Sequence, residues 1–97
     1  MKEQILKEVK TFIKKIKAIN NRTEDKIIVL KKTLQEYNTY RNNHLDFLGN
    51  SYQVEDLINS ITIAQTKRKN VSKKSLHDEF SRTKELALFR LEHIYIP

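Results

Sequence analysis

The sequence predicts an all-α protein, and three observations carry that prediction. Its 97 residues include one Gly and one Pro, and Pro97 is the last residue, so almost nothing interrupts a helix. Apolar side chains recur at alternating steps of three and four residues, which is the spacing of one helical stripe. Gly49 separates two arms patterned in this way. We therefore predict a single helical domain over residues 1–97, built as an antiparallel hairpin that turns at Gly49-Asn50.

The first arm, Met1 to Leu48, carries an apolar stripe in two runs. Asn20-Asn21-Arg22-Thr23 interrupts the stripe, and Thr23 followed by Glu24 and Asp25 has the form of a helix N-cap. Either a second helix begins at this point, or one long helix continues while its apolar stripe shifts in phase by one residue. Arg41 stands where an apolar residue is expected, and a buried arginine needs a carboxylate partner. The stripe of the first arm consists of Ile5, Val9, Phe12, Ile16, Ile19, Ile27, Leu30, Leu34, Tyr37, Leu45 and Leu48.

The second arm, Gly49 to Pro97, carries a matching stripe. Gly49 suits the left-handed backbone just past a helix end. In a hairpin about Gly49-Asn50, facing residues have numbers that sum to about 99, so irregularities near 20–23 and 69–75 face each other. Two architectures follow, a long hairpin with bends at those positions or a closed four-helix bundle. The second stripe contains Val54, Leu57, Ile61, Ala64, Arg68, Val71, Leu76, Phe80, Thr83, Ala87, Leu91 and Ile94, with Arg68 as a polar member.

The apolar stripe is predicted to bind a partner, because further apolar residues lie off it and two helices cannot cover them all. Those residues are Leu6, Ile13, Ile28, Ile58, Ile63, Leu86 and Leu88. We expect either closure into a bundle or pairing with a helical protein, as a homo-oligomer or a heteromer. The predicted partner-binding seam comprises Ile5, Val9, Phe12, Ile16, Leu30, Leu34, Leu57, Ile61, Phe80 and Leu91.

A formal charge of +7 and a sequence pI of about 9.7 favour acidic partners, which include nucleic acid, anionic membranes and acidic proteins. The hairpin arrangement gathers basic residues near its middle. This predicted basic patch comprises Lys31, Lys32, Lys67, Arg68, Lys69, Lys73 and Lys74. With Tyr37 and Tyr40 as stacking groups, the patch makes a nucleic-acid-binding accessory protein the main alternative function.

No catalytic constellation stands out in the sequence. There is no Cys, no Gly-rich phosphate loop and no nucleophile elbow. His77-Asp78-Glu79 is the densest polar cluster, but neighbouring residues of a helix point in different directions. We therefore predict a protein that is not an enzyme and uses no catalytic residue, cofactor or metal. No apolar run approaches the ~20 residues that cross a bilayer, and no secretory signal is present, so a soluble cytoplasmic protein is expected.

The central stretch Phe47-Leu48-Gly49-Asn50-Ser51-Tyr52, between helical arms of equal length, resembles the turn of the WXG100 (ESAT-6-like) family. Those proteins, and the small helical partners of LXG toxins, are helical hairpins of type VII secretion with a Trp-x-Gly turn. Phe47 occupies the position of the family's Trp, Gly49 that of its Gly, and Tyr52 that of the aromatic residue that follows. The resemblance implies a secretion partner or targeting factor, exported without a cleavable signal. In that family, an aromatic residue beyond the second helix is followed four residues later by an acidic residue, and this pair serves as the secretion signal. This chain lacks the pair, because the residue four positions after Phe89 is His93.

A second similarity is architectural. Small immunity proteins that protect against bacteriocins are often basic four-helix bundles of about this length. This similarity implies a cytosolic protein whose role is protection.

Overall fold

A computed structural model describes residues 2–20, 22–48, 54–66 and 73–93, and the chain is helical throughout these ranges except in short turns. The helices are α1 (Lys2–Ala18), α2 (Lys26–Asn42), α3 (Leu45–Leu48), α4 (Glu55–Thr66) and α5 (Lys73–Glu92). The predicted all-α fold is confirmed. The predicted turn at Gly49-Asn50 lies outside the described residues.

The helices α1, α2, α4 and α5 form an antiparallel bundle in which each packs on the next and α5 packs back on α1. Between α1 and α2, Phe12 meets Tyr37 edge to face, with ring centroids 5.5 Å apart. Between α2 and α4, Arg41 near the end of one helix reaches Glu55 at the start of the other, at 3.4 Å. The chain therefore runs up, down, up and down.

The remaining two contacts close the ring of helices. Asp56, in the first turn of α4, binds Arg90 near the end of α5. Lys84 of α5 donates a hydrogen bond at 2.6 Å to the carbonyl oxygen of Ile19, just past the end of α1. A cation at this position satisfies a carbonyl that the helix leaves unpaired and opposes the negative end of the helix dipole.

The molecule is a closed four-helix bundle, which is one of the two predicted architectures. Its longest extent is 45 Å, whereas a straight hairpin with arms of ~45 residues would be roughly 65–70 Å long. The break between α1 and α2 falls at residues 19–25, where the sequence predicts a bend. Helix α4 ends at Thr66 and α5 begins at Lys73, and most of the second predicted bend, at 69–75, lies outside the described residues.

The prediction that Thr23 caps α2 is wrong. The hydroxyl of Thr23 instead accepts a hydrogen bond from the backbone N–H of Asn20 at 3.0 Å, which holds the connecting turn. Asp25 occupies the cap position with φ 51° and ψ 43° and makes no side-chain cap. Asp is among the few residues that tolerate this left-handed backbone, and it starts α2 two residues later than the Thr23 motif implies.

The core runs through the whole bundle and is formed by every helix. Its polar members are Thr33, Arg41 and Thr83. The Thr33 hydroxyl donates to the carbonyl oxygen of Val29 at 2.9 Å. Within the described structure, the Thr83 hydroxyl has no hydrogen-bond partner. The buried apolar residues are Ile5, Val9, Phe12, Ile16, Ile19, Leu30, Leu34, Tyr37, Leu48, Val54, Leu57, Ile61, Phe80, Ala87 and Leu91.

Candidate interaction surfaces

All ten residues of the predicted partner-binding seam lie inside the bundle, each less than a tenth exposed. They belong to one core cluster: Ile5, Val9, Phe12, Ile16, Leu30, Leu34, Leu57, Ile61, Phe80 and Leu91. The helices of one chain already cover this seam. A partner of the closed bundle must therefore contact other side chains.

The predicted turn residues and basic patch are only partly described. Phe47 is half-buried against the core, while Gly49 and Tyr52 lie outside the described residues. In the basic patch, Lys32 and Lys74 are exposed and Lys31 is half-buried. The described structure includes neither the other three patch residues, Lys67, Arg68 and Lys69, nor the side chain of Lys73.

The two tyrosines predicted to stack on bases pack inside the protein. Tyr37 is fully buried. The half-buried ring of Tyr40 lies between Phe12, at a centroid distance of 5.9 Å, and His44, at 4.4 Å. Burial, with a smaller effect from Glu8, raises the pKa of Tyr40. These rings stabilise the contact between α1 and α2.

Leu86 and Phe89 form an exposed apolar row along α5, and His93, just past the end of the helix, continues it. Phe89 is 60% exposed and Leu86 is 36% exposed. The His93 ring stacks on Phe89 with centroids 4.2 Å apart. His93 Nδ1 lies 2.6 Å from the carbonyl oxygen of Phe89, and it donates this hydrogen bond because a carbonyl can only accept. The spacing of three and four residues places the side chains in one row.

Ile63 stands seven residues after Asp56 and so lies on the side of α4 that meets α5. The register of the two helices is set by Arg90, which donates to both carboxylate oxygens of Asp56 at 2.6 and 2.9 Å. Ile63 lies two turns along α4 from this ion pair, and Leu86 lies one turn along α5 in the same direction. Ile63 is 54% exposed. We call Ile63, Leu86, Phe89 and His93 the α4–α5 face.

Acidic side chains border the α4–α5 face. Glu85 and Glu92 are exposed and stand four residues before and three residues after Phe89, so both lie beside its ring. Glu92 forms an exposed ion pair with Lys17 at 2.9 Å, which is a weak interaction in water. The Arg90 guanidinium lowers the pKa of Asp56, and Asp56 in turn raises the pKa of Arg90. A cation on a partner would meet carboxylates here.

The opposite side of the bundle, formed by α1 and α2, is basic. Together these helices contain ten basic and three acidic residues, of which Arg41 is buried and Lys26 reaches His77 of α5. Lys7 and Lys14 are exposed on α1, and Lys32 is exposed on α2. Next to Lys32 on α2, Ile28 is 50% exposed and Val29 is 36% exposed. We call Lys7, Lys14, Lys32, Ile28 and Val29 the α1–α2 face.

Across residues 2–20, 22–48, 54–66 and 73–93, no group of three or more His, Asp or Glu side chains could hold a metal ion. His77 Nδ1 accepts a hydrogen bond from Lys26 Nζ at 2.9 Å, and the same ammonium lies 4.9 Å from the Phe80 ring. This contact joins α2 to α5.

An open depression of about 280 Å³ lies beside Lys84 and Ser81. The ammonium of Lys84 is held there by the carbonyl oxygens of Ile19 and Lys17, at 2.6 and 3.4 Å. Hydrogen bonding in this way fixes Lys84 as a structural link between α5 and α1.

Within the described parts of the chain, no helix combines the length and the apolar character that crossing a bilayer requires. The comparisons with protein-family models, with characterised proteins and with solved structures gave no match.

Sequence reasoning identified Ile28, Ile63 and Leu86 as apolar residues off the seam, but it did not assign Phe89 to a surface. The available signal was its position two residues before Leu91. Leu91 lies on the buried stripe, and a residue two positions away points about 160° from it on a helix. An aromatic residue at that position is expected to face solvent or a partner.

Proposed function

We propose that this chain is a non-enzymatic protein-interaction module whose docking surface is the α4–α5 face. The observation that carries the proposal is the exposure of Phe89, the most exposed large apolar side chain of the described residues. Aromatic side chains are enriched at protein interfaces and often dominate binding energy. Burying Phe89 together with Ile63 and Leu86 would remove three exposed apolar side chains from water.

The chemistry of the face favours a basic amphipathic helix as the partner. Leu86, Phe89 and His93 stand at i, i+3 and i+7, which is the spacing that a docked helix matches with its own apolar residues. Glu85 and Glu92 border the row and complement cations on such a helix. The α4–α5 face is thus suited to an interface with an apolar centre and a charged rim.

A bacteriocin immunity protein is the biological role that the architecture supports best. The chain is basic and of the length typical of that class, and its four long helices close on one another without a second chain. The alternative, a WXG100-like partner in type VII secretion, is expected to pair through the seam. That seam is filled by the chain's own helices, so the type VII alternative would require the bundle to open.

The test uses two variants. One carries a photo-crosslinking residue in place of Phe89, and the other carries it in place of Ile28. Both variants are expressed in the native host. We expect a protein to be captured from position 89 and not from position 28.

The captured partner is then purified and its Kd measured. Phe89→Ala should weaken binding at least tenfold, and Ile28→Ala should leave the Kd unchanged. Equal affinity of all three proteins would contradict the proposed surface. Capture of a secretion component or of a bacteriocin receptor would separate the two roles.

A further inference from the structure

The α1–α2 face has the chemistry of a membrane-binding surface. It lies across the bundle from the α4–α5 face, since the helices follow one another around the ring in the order α1, α2, α4 and α5. It combines exposed lysines with two exposed aliphatic side chains. We propose that this face binds the surface of an anionic lipid bilayer, independently of the protein-docking surface.

Helical spacing places the lysines in a common direction. Lys7 and Lys14 are seven residues apart, so they lie two turns apart on the same side of α1. Because α1 and α2 are antiparallel and Phe12 packs on Tyr37, Lys32 of α2 lies beside the last turn of α1. Lys14 and Lys32 therefore stand at the end of the face where the two helices are joined.

The aliphatic side chains lie at that same end. Ile28 and Val29 precede Lys32 by four and three residues, which puts all three on one side of α2. Ile28 and Val29 are 50% and 36% exposed. Aliphatic side chains beside lysines suit the boundary between lipid headgroups and acyl chains, where amphipathic surfaces bind.

A lipid surface fits this face better than nucleic acid does. Nucleic-acid interfaces use arginine and exposed aromatic rings for directional contacts and stacking. Residues 2–48 contain two arginines: Arg41 is buried, and Arg22 is exposed in the turn between α1 and α2. Tyr40 lies between Phe12 and His44, and Tyr37 is in the core. Lysines on two adjacent helices instead supply positive charge without directional hydrogen bonds. Charge of this kind is sufficient to attract anionic lipid headgroups.

The first experiment is co-sedimentation of the full chain with vesicles. Phosphatidylcholine vesicles are compared with vesicles of phosphatidylcholine and phosphatidylglycerol. We expect binding to the anionic vesicles only, decreasing steeply with salt. Each lysine near such a surface contributes a factor of roughly five to the partition coefficient, so Lys14→Gln/Lys32→Gln should bind about 25-fold more weakly.

The matched control, Lys74→Gln/Arg82→Gln, removes the same charge from α5, where both side chains are exposed. It should retain most of the binding. Equal losses in the two double variants would overturn the proposal, since net charge alone would then explain the attraction. Failure of the unaltered chain to bind anionic vesicles would also overturn it. So would retention of a nucleic-acid oligomer, lost in Lys14→Gln/Lys32→Gln, without vesicle binding.

The second experiment determines orientation. The sequence contains no Trp, so Ile28→Trp and Phe89→Trp each introduce one fluorophore, on opposite faces. With anionic vesicles, the emission of the tryptophan at position 28 should shift to shorter wavelength and that at position 89 should not. A shift at position 89 alone would overturn the assignment to the α1–α2 face.

Discussion

The guanidinium of Arg90 binds both carboxylate oxygens of Asp56, at 2.6 and 2.9 Å, and thereby joins the first turn of α4 to the last turns of α5. The two residues are 34 positions apart in sequence. Bidentate pairing of this kind fixes direction as well as distance. The pair therefore sets the register of the two helices that present Ile63, Leu86 and Phe89.

A double-mutant cycle tests the Asp56–Arg90 pair. Because Asp56 is largely solvent-exposed, screening limits the coupling, and we expect about 0.5–1 kcal/mol between Asp56→Asn and Arg90→Gln. Chemical denaturation of the four proteins measures it. The same cycle on Glu79 and Arg82, an i,i+3 pair within α5, should give about 0.3–0.5 kcal/mol. A coupling near zero for Asp56–Arg90 would contradict the geometry.

The pH dependence of the Asp56–Arg90 pair follows from its pKa shifts. The folded-state pKa of Asp56 is lowered from 3.8, chiefly by the hydrogen bond from Arg90. The pair therefore contributes fully above pH ~3.8, and its contribution is lost as the pH falls through the lower folded-state value. The stability difference between the wild type and Asp56→Asn should shrink on acidification. A difference that grows would contradict the assignment.

Thr83→Val should stabilise the protein by about 1 kcal/mol. The Thr83 hydroxyl is buried, and it has no hydrogen-bond partner in the described structure. A methyl group in its place removes the cost of an unsatisfied polar atom. The control is Thr33→Val, which removes a made hydrogen bond to the Val29 carbonyl and should be neutral or destabilising by up to about 1 kcal/mol. Thermal denaturation distinguishes the two, and a lower Tm for Thr83→Val would contradict the prediction.

Ile61 and Ile63 form a matched pair two residues apart in α4. Ile61 is fully buried and Ile63 is 54% exposed. Ile61→Ala should cost about 2–5 kcal/mol of unfolding free energy because it leaves a cavity. Ile63→Ala should cost less than about 0.5 kcal/mol. Urea denaturation of both variants measures the loss of stability. Similar midpoints would show that the buried and exposed sides of α4 are assigned incorrectly.

Arg41 illustrates what the sequence could and could not predict. Its place on the apolar stripe indicated that a buried guanidinium would need a carboxylate, and Glu55 lies 3.4 Å away. The pattern did not predict the amide oxygens of Asn38 and Asn42, which accept further hydrogen bonds at 3.2 and 3.0 Å. Both asparagines belong to α2 itself, three residues before and one residue after Arg41. Their contacts depend on the side-chain rotamers at the end of that helix, which the apolar pattern does not encode.

A pair of substitutions separates the charge of Arg41 from its packing. Arg41→Met keeps the volume of the stem and leaves Glu55 largely in water, so it should change stability by less than about 1 kcal/mol. Arg41→Ala removes the stem as well and should cost about 2–4 kcal/mol. Chemical denaturation gives both values. Equal, large losses would mean that the charge itself stabilises the α2–α4 contact.

Helical periodicity predicted most of the buried stripe, because steps of three and four residues place side chains on one side of a helix whatever the partner is. Leu45, which the pattern also assigned to the stripe, is 46% exposed. Every residue of the seam from Ile5 to Leu91 is in the core. Periodicity cannot tell whether the covering helix belongs to the same chain. That depends on whether the chain bends between Ala18 and Lys26, where Asp25 adopts a left-handed backbone.

The candidate surfaces were harder to predict, because which side chains stay exposed depends on how the helices pack against one another. The sequence placed Ile28, Ile63 and Leu86 off the seam but did not order them into faces. Their grouping follows from the register that Asp56–Arg90 and Phe12–Tyr37 impose. Phe89 lies on neither predicted stripe, and it is the most exposed of the large apolar residues in the described structure.

Small-angle X-ray scattering of the purified chain, with its mass determined by light scattering, tests the closed bundle most directly. We expect a monomer of 11.6 kDa with a radius of gyration close to the 13.8 Å of its Cα atoms. An open hairpin about 65–70 Å long would give a radius of gyration of roughly 20 Å. That larger value, or a dimer with the seam shared between two chains, would contradict a bundle that covers its own core.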